Sequence, residues 1–178
     1  MKAVLISIQP KWCELIASGK KTVEVRKTRP KLETPFKVYI YATKHRDRLK
    51  FHKKGSFVVS KAITDKVIGE FVCDEIYQYS TSDLEGQTIS DEEMQKLSCL
   101  TKKELRDYEY SATPKDYCIY LIGLYGWHIS NLVIYDEPKE LSEFSKPYGT
   151  IRKAFESQFI TRPPQSWCFV EELVGDNK

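Results

Sequence analysis

The sequence predicts an α+β chain built as a small, partly open β-barrel with a few short peripheral helices, in one domain over residues 1–178. Three observations predict it. Short apolar or alternating runs of strand length recur along the chain, helical patterns are few and brief, and strand and helix do not alternate as a doubly wound parallel sheet requires. A chain of 178 residues with 41% hydrophobic residues, and aromatics spread through its length, can bury a sizeable core.

The elements follow in order. Ala3–Ile8 is a short apolar run and reads as a buried strand. Pro10 then stands at a first helical position, with Trp12, Leu15 and Ile16 at helical spacing and Gly19 as a left-handed cap. Thr22–Arg26 alternates, so Val23 and Val25 are expected in the core while Thr22, Glu24 and Arg26 share the other face. Phe36–Thr43 alternates again, with Lys37, Tyr39 and Tyr41 on the face opposite Phe36, Val38 and Ile40. Lys44–Lys54, dense in Lys and Arg, reads as an exposed loop. Val67–Tyr79 reads as one long strand in which Gly69 permits a bulge or a close approach. Ser90/Glu93 and Thr101/Glu104 have capping-box spacing and predict helices over Asp91–Leu97 and Lys102–Tyr108, acidic and peripheral. Ile119–Tyr125 and Trp127–Tyr135 read as strands broken at Gly126, and Ser166–Glu171 as a last strand. A basic insertion near 44–66 and a C-terminal extension near 142–178 complete the expected domain.

Composition narrows the function classes. The net charge of +3 hides an asymmetry: Met1–Lys66 holds 17 Lys and Arg against 5 Asp and Glu, whereas Val67–Lys178 holds 11 against 20. A phosphate-facing surface has this signature, because clustered cations displace counterions from a nucleic-acid backbone. Spatial mixing of the two halves, with mutual neutralisation, is the competing reading. Five cysteines without close pairs support neither a disulfide framework nor a CxxC metal knuckle. No export signal or membrane-length apolar run is evident, so reduced thiols in the cytoplasm are expected. Neither a Gly-rich phosphate loop nor a Ser-His-Asp or Cys-His signature occurs, and no metal or cofactor is expected.

The most informative segment is Ser18-Gly19-Lys20-Lys21-Thr22-Val23-Glu24-Val25-Arg26, where a helix ends and a strand begins. Lys21 offers an ammonium and Arg26 a planar fork, both suited to phosphate, and Glu24 can accept from a base amino group or hold the cations. A local ion-pair cluster is the plainer reading of the same three residues, with Lys20 and Lys21 complementing a helix C-terminus. Tyr39 and Tyr41 are read as stacking platforms or as cover for a second layer. Trp12 reads as core. Trp127, beside Gly126, is placed where a strand approaches a ligand, and His128 reads as a hydrogen-bonded structural residue.

The spacing of Gly19, Lys21, Glu24 and Arg26, together with VIGEFVCDEI from Val67, GWHISNLVIY from Gly126 and RPPQSWCFVEE from Arg162, resembles the ASCH domain of the PUA-like superfamily, in particular short proteins of bacteria and phages. The resemblance implies a barrel with a cleft beside the helix-strand junction that accommodates RNA or nucleotides. It implies a binding set of Lys20, Lys21, Thr22, Glu24, Arg26, Lys27 and Arg29, joined by Tyr39, Tyr41, Trp127 and the loop cations Lys44, Arg46 and Arg48. Some ASCH proteins are amidohydrolases acting on N4-acetylcytidine through a Lys, a Thr three residues later and a Glu further on. Lys21 matches the first position, Glu24 stands in place of the Thr, and Glu70 is the positional choice for the third. RNA or nucleotide binding is therefore the leading expectation. The alternatives are amide hydrolysis by Lys21, Glu24 and Glu70, and an accessory protein that binds a protein partner through its acidic helices.

Overall fold

A computed structural model describes residues 1–44, 51–53, 56–58, 64–82, 86–111, 123–147 and 158–173. The chain begins with β1 (Lys2–Ile8), α1 (Pro10–Ala17), β2 (Val23–Arg26) and β3 (Phe36–Ala42). After β4 (Phe51–Lys53) and β5 (Ser56–Val58) come β6 (Lys66–Cys73) and β7 (Ile76–Tyr79). Two helices, α2 (Asp91–Ser98) and α3 (Lys102–Tyr110), precede β8 (Leu124–His128), β9 (Ser130–Lys139) and β10 (Trp167–Glu171).

The strands form two main sheets and do not close into the expected barrel. The larger sheet has the order β10-β1-β3-β6-β9, and only the β1/β3 pair is parallel. The smaller is antiparallel, in the order β2-β8-β7, and β4 pairs with β5 as a separate ribbon. Phe51–Lys53 is thus a strand, although the charge density of its surroundings predicts only loop. The expected single strand Val67–Tyr79 is two strands in different sheets. Its break falls at the exposed pair Asp74–Glu75, where polar groups turn the corner: the His128 amide donates to the Glu75 carbonyl at 3.0 Å and His128 Nδ1 meets Asp74 Oδ1 at 2.7 Å. β8 runs straight through Gly126, and the predicted break lies instead between His128 and Ser130. Residues 119–122 lie outside those described.

Three apolar clusters hold these layers. β1 and β3 are buried on both faces, which is why Ala3–Ile8 shows no alternation. Val4, Ile6, Val38 and Ile40 pack on one side with Cys13 and Ile16 of α1 and with Trp127. Ala3, Leu5, Tyr39 and Tyr41 pack on the other with Phe144, Ile160 and Val170. In the third cluster Val23 and Val25 meet Tyr79, Leu124, Met94 and Leu105. The two capped helices form as their spacing predicts, each ending one or two residues later, but they are not peripheral: Met94 and Leu105 are fully buried against the smaller sheet. The buried Glu109 carboxylate binds α3 to the chain after β7, accepting from Ser80 Oγ at 2.7 Å and from the Thr81 amide at 3.0 Å.

Gly69 sits where β6 meets β9 at an irregular register, and a Cβ there would overlap the Val133 carbonyl oxygen. Gly69→Ala should lower the midpoint of chemical unfolding, by about 1–3 kcal/mol of stability, and an unchanged midpoint would show that β9 does not approach so closely. Asp91, first residue of α2, meets Lys102 Nζ and accepts from Tyr79 Oη at 2.8 Å. The Lys102 hydrogen bond, with the Tyr79 one, outweighs burial and holds the Asp91 carboxyl below its ordinary pKa. Its contribution to stability is complete above the ordinary carboxylate range and is lost as pH falls from there through the depressed folded value. Asp91→Asn should therefore lower stability at neutral pH and flatten the acid limb of the stability profile, as followed by unfolding at pH steps; parallel profiles would refute this.

Candidate functional site

The junction of α1 and β2 is fixed by backbone bonds before any side chain acts. Gly19 takes a positive φ of 73°, and the amides of Lys20 and Lys21 both donate to the Leu15 carbonyl, at 2.9 and 3.0 Å. The Thr22 amide donates to Leu97 O at 2.9 Å, so the turn is tied to α2 as well as to α1. This folds Lys21 inward, where it is 2% exposed. Its Nζ donates to Val23 O at 2.9 Å and to Ser98 O at 2.8 Å, and pairs with Glu24 Oε2 at 3.3 Å. Three acceptors match the three ammonium protons. Ser98 O lies at the C-terminal, negative end of α2, which further favours the cation.

The other carboxylate oxygen, Glu24 Oε1, pairs with Arg26 Nη2 at 3.0 Å. That nitrogen also donates to Ser7 O at 2.6 Å, and Nη1 reaches Ser166 Oγ at 3.5 Å. Arg26 Nε is buried and has no hydrogen-bond partner among the described residues. Lys21, Glu24 and Arg26 thus form a buried row carrying one net positive charge, with Glu24 and Arg26 only 6% and 8% exposed.

All three line one cleft of about 430 Å³. Ser7 and Ile8 of the larger sheet and Val25 of the smaller contribute to it, so the cleft opens where the two sheets meet without closing. Half-buried Trp12 from α1 and half-buried Tyr108 from α3 are its aromatic walls, and Gln9, Thr43, Glu104 and Gln165 add polar groups. Burial raises the Tyr108 phenol pKa, and the charges of Arg26 and Glu24 both act on it, which sets the phenol close to the charged row. Cations flank the walls: Lys11 Nζ lies 4.0 Å from the Trp12 ring centre, and Lys27 Nζ lies 4.7 Å from that of Tyr108. Burial lowers the Lys27 pKa, while its ammonium donates to Ser111 Oγ at 2.7 Å.

An ASCH domain family model matches the chain over residues 6–157, a span that takes in the charged row and both aromatic walls. The chain belongs to the ASCH domain family. The ASCH protein of Zymomonas mobilis has the same fold, with a TM-score of 0.59 at 22% identity, covering 96% of this chain and 88% of that one. Its Tyr-to-Phe variant aligns with a TM-score of 0.58 at 22% identity over 97% and 92% of the two chains. Its Ser-to-Ala variant aligns at 0.57 and 21% identity over 96% and 89%. No curated protein matches this ASCH chain.

The structure divides the sequence-predicted residues of this ASCH chain into four groups. Lys21, Glu24 and Arg26 come together on the cleft floor, and Lys27 reaches its Tyr108 wall. Lys20, Arg29 and Lys44 are exposed and do not line the cleft; Arg29 stacks over Tyr125 at 6.0 Å. Thr22 is half-buried and also does not line it, and Arg46 and Arg48 lie outside the described residues. Tyr39 and Tyr41 are 0% and 1% exposed beneath the Phe144 cluster, so they cover a second layer and are closed to a base. Trp127 is 0% exposed between Phe36 and Trp167, a core residue rather than a ligand platform.

One further correction concerns chemistry. Glu70 belongs to the far side of the larger sheet, where it pairs with Lys37 at 3.1 Å and accepts from Tyr135 Oη at 2.5 Å, so no trio of Lys21, Glu24 and Glu70 is assembled. Trp12 packs against the first apolar cluster, as expected, and also lines the cleft. Tyr108, Glu104, Leu100 and Gln165 were not legible as site residues, although the i, i+4 spacing of Glu104 and Tyr108 does put both on one face of α3. Among the described residues no three His, Cys, Asp or Glu side chains are placed to hold a metal ion, and no helix is long and apolar enough to cross a membrane.

Removing the Lys21 charge strands the Ser98 and Val23 carbonyls and leaves Glu24 with Arg26 alone. Lys21→Met should lower stability by about 3–5 kcal/mol, measured by urea unfolding. A loss below about 1 kcal/mol would mean that the ammonium behaves as an ordinary surface charge.

Proposed function

We propose that this ASCH chain binds RNA or a nucleotide in the cleft between α1, β2 and α3. One observation carries the reading: Arg26 lines the cleft in a buried row of charges, with Lys21 and Glu24, that has a net positive excess. A phosphate or base oxygen that enters the cleft meets this positive excess with charge assistance. Trp12 and Tyr108 add what a nucleotide needs beyond charge, namely aromatic surface beside the polar floor. In this reading Lys21 and Glu24 are positioning residues that orient the Arg26 fork. Amide hydrolysis through Lys21 finds less support, because an amine attacks with a lone pair and all three protons of this ammonium have acceptors.

Titration of the protein with short single-stranded RNA, followed by tryptophan fluorescence at two salt concentrations, tests the proposal. Binding should weaken with salt at a log-log slope of about −0.7 per phosphate contacted. Trp12→Ala and Tyr108→Ala should each cost about 1–3 kcal/mol of affinity, and Arg26→Lys should weaken binding because the ammonium loses the planar fork. Salt-independent binding, or an affinity indifferent to all three substitutions, would exclude the cleft as the site.

A further inference from the structure

Helix α1 breaks a rule that α2 and α3 keep. The first turn of α2 carries Asp91, Glu92 and Glu93 and that of α3 carries Glu104, as the positive end of a helix favours. The first turn of α1 carries no acid and instead holds Lys11, between the cleft-lining residues Gln9 and Trp12. The side chain of Lys11 is exposed, with its ammonium 4.0 Å from the Trp12 ring centre. A cation in this position works against the helix dipole, and an anion at the mouth of the cleft would meet both the lysine and the helix end.

The opposite wall carries a second such cation. Lys27 follows the cleft residue Arg26, holds its ammonium 4.7 Å from the Tyr108 ring centre and donates to Ser111 Oγ at 2.7 Å. Burial lowers its pKa, and no carboxylate counters that effect. Lys37, Lys66, Lys102 and Lys103 each meet a carboxylate, whereas neither Lys11 nor Lys27 pairs with one among the described residues. The two are set apart along α3. Thr101 holds the Glu104 carboxyl below its ordinary pKa and the Lys11 charge adds to this, which sets Lys11 towards the first turn of α3. Lys27 is bonded at Ser111, about 10 Å further along the helix axis.

We infer that the cleft takes an internal nucleotide of a single strand, with the phosphate on one side of its sugar at Lys11 and the phosphate on the other side at Lys27. This rests on the nucleotide-binding reading and deepens it, since the ligand must then carry an anion at each end. A base between Trp12 and Tyr108 leaves the Arg26 fork on the cleft floor for a base oxygen. Glu24 and Glu104 are the carboxylates among the described lining residues, and both are engaged, Glu24 by Lys21 and Arg26 and Glu104 by the amide and hydroxyl of Thr101. Each lysine lies over a ring face in the free protein. A charge-assisted bond to phosphate is stronger than an exposed cation–π contact, so a bound strand draws both ammoniums off the rings and opens those faces to the base.

The experiment compares affinities for a ribonucleoside, its 5′- and 3′-monophosphates, its 3′,5′-bisphosphate and a trinucleotide of the same base, by tryptophan fluorescence, in the wild-type chain, Lys11→Ala and Lys27→Ala. The bisphosphate should bind about tenfold tighter than either monophosphate, and the trinucleotide at least as tightly as the monophosphates. Lys11→Ala should cancel the gain from one phosphate and Lys27→Ala the gain from the other, and each should reduce the trinucleotide salt slope by about 0.7. Because Lys11 opposes the helix dipole, Lys11→Ala should leave the midpoint of urea unfolding unchanged or raise it, which separates lost affinity from lost fold. Lys27→Met, which keeps an apolar stem over Tyr108, is the second variant should Lys27→Ala fold poorly. A bisphosphate no tighter than the monophosphates, or gains that survive both substitutions, overturns the two-ended inference and leaves the cleft reading intact. A bisphosphate that binds where the trinucleotide does not overturns the strand and leaves a free nucleotide as the ligand. If none of the phosphorylated ligands binds, both readings fail together.

Discussion

The Lys21 ammonium is the interaction on which the rest of the structure depends. Taking a lysine charge out of water costs several kcal/mol, and the cost is offset here only because three acceptors converge on one nitrogen. Each acceptor comes from a different requirement of the fold. Val23 O is supplied by the start of β2, Ser98 O by the last turn of α2, and Glu24 by the face of β2 that its alternation turns away from the third apolar cluster. Cys99, in the left-handed conformation with a φ of 56°, ends α2 at Ser98 and leaves that carbonyl for the lysine. The α1–β2 turn and the end of α2 are therefore coupled through one buried charge.

The coupling continues outward. Glu24 hands the charge on to Arg26, and Arg26 reaches Ser7 of the larger sheet and Ser166 before β10. A row of three charges thereby bridges two sheets that do not close on each other, and the gap it bridges is the cleft. Hydrophobic packing would bring the same sheets together without orienting anything between them. The directional bonds of the row hold the Arg26 fork in one position at the bottom of a concave surface, with aromatic walls on either side. The plainer reading of Lys21, Glu24 and Arg26 as an ion-pair cluster is met by this geometry, and the proposed binding role draws on the same row.

The far side of the larger sheet shows how similar chemistry serves the fold alone. Lys37 pairs with Glu70 at 3.1 Å and with Glu172 at 3.3 Å, and the Leu173 amide donates to Tyr39 Oη at 2.9 Å. These contacts hold the chain after β10 over the sheet. Tyr39 also meets Phe144 edge-on, with ring centres 4.9 Å apart, an arrangement worth about 0.5–1.5 kcal/mol beyond its burial. Nothing in the alternation of β3 distinguishes such a covered face from one that receives a ligand, because both present tyrosines and a lysine opposite an apolar face.

Local rules were sufficient for much of this ASCH chain. Pro10 and Gly19 bound α1, Ser90 and Thr101 start α2 and α3, and the alternation of Val23, Glu24, Val25 and Arg26 correctly sends the charged pair to one face, because caps and strand periodicity act over a few residues. The residues of the helix-strand junction that reach the cleft floor were legible for the same reason. What only the tertiary structure decided depends on long-range pairing. The corner at Asp74–Glu75 that separates the sheets, the burial of Tyr39, Tyr41 and Trp127, and the arrival of Ser98, Tyr108 and Gln165 at a site begun by Lys21 all follow from how layers stack. Stacking is set by the summed burial of apolar surface over the whole chain, a quantity that no local pattern carries.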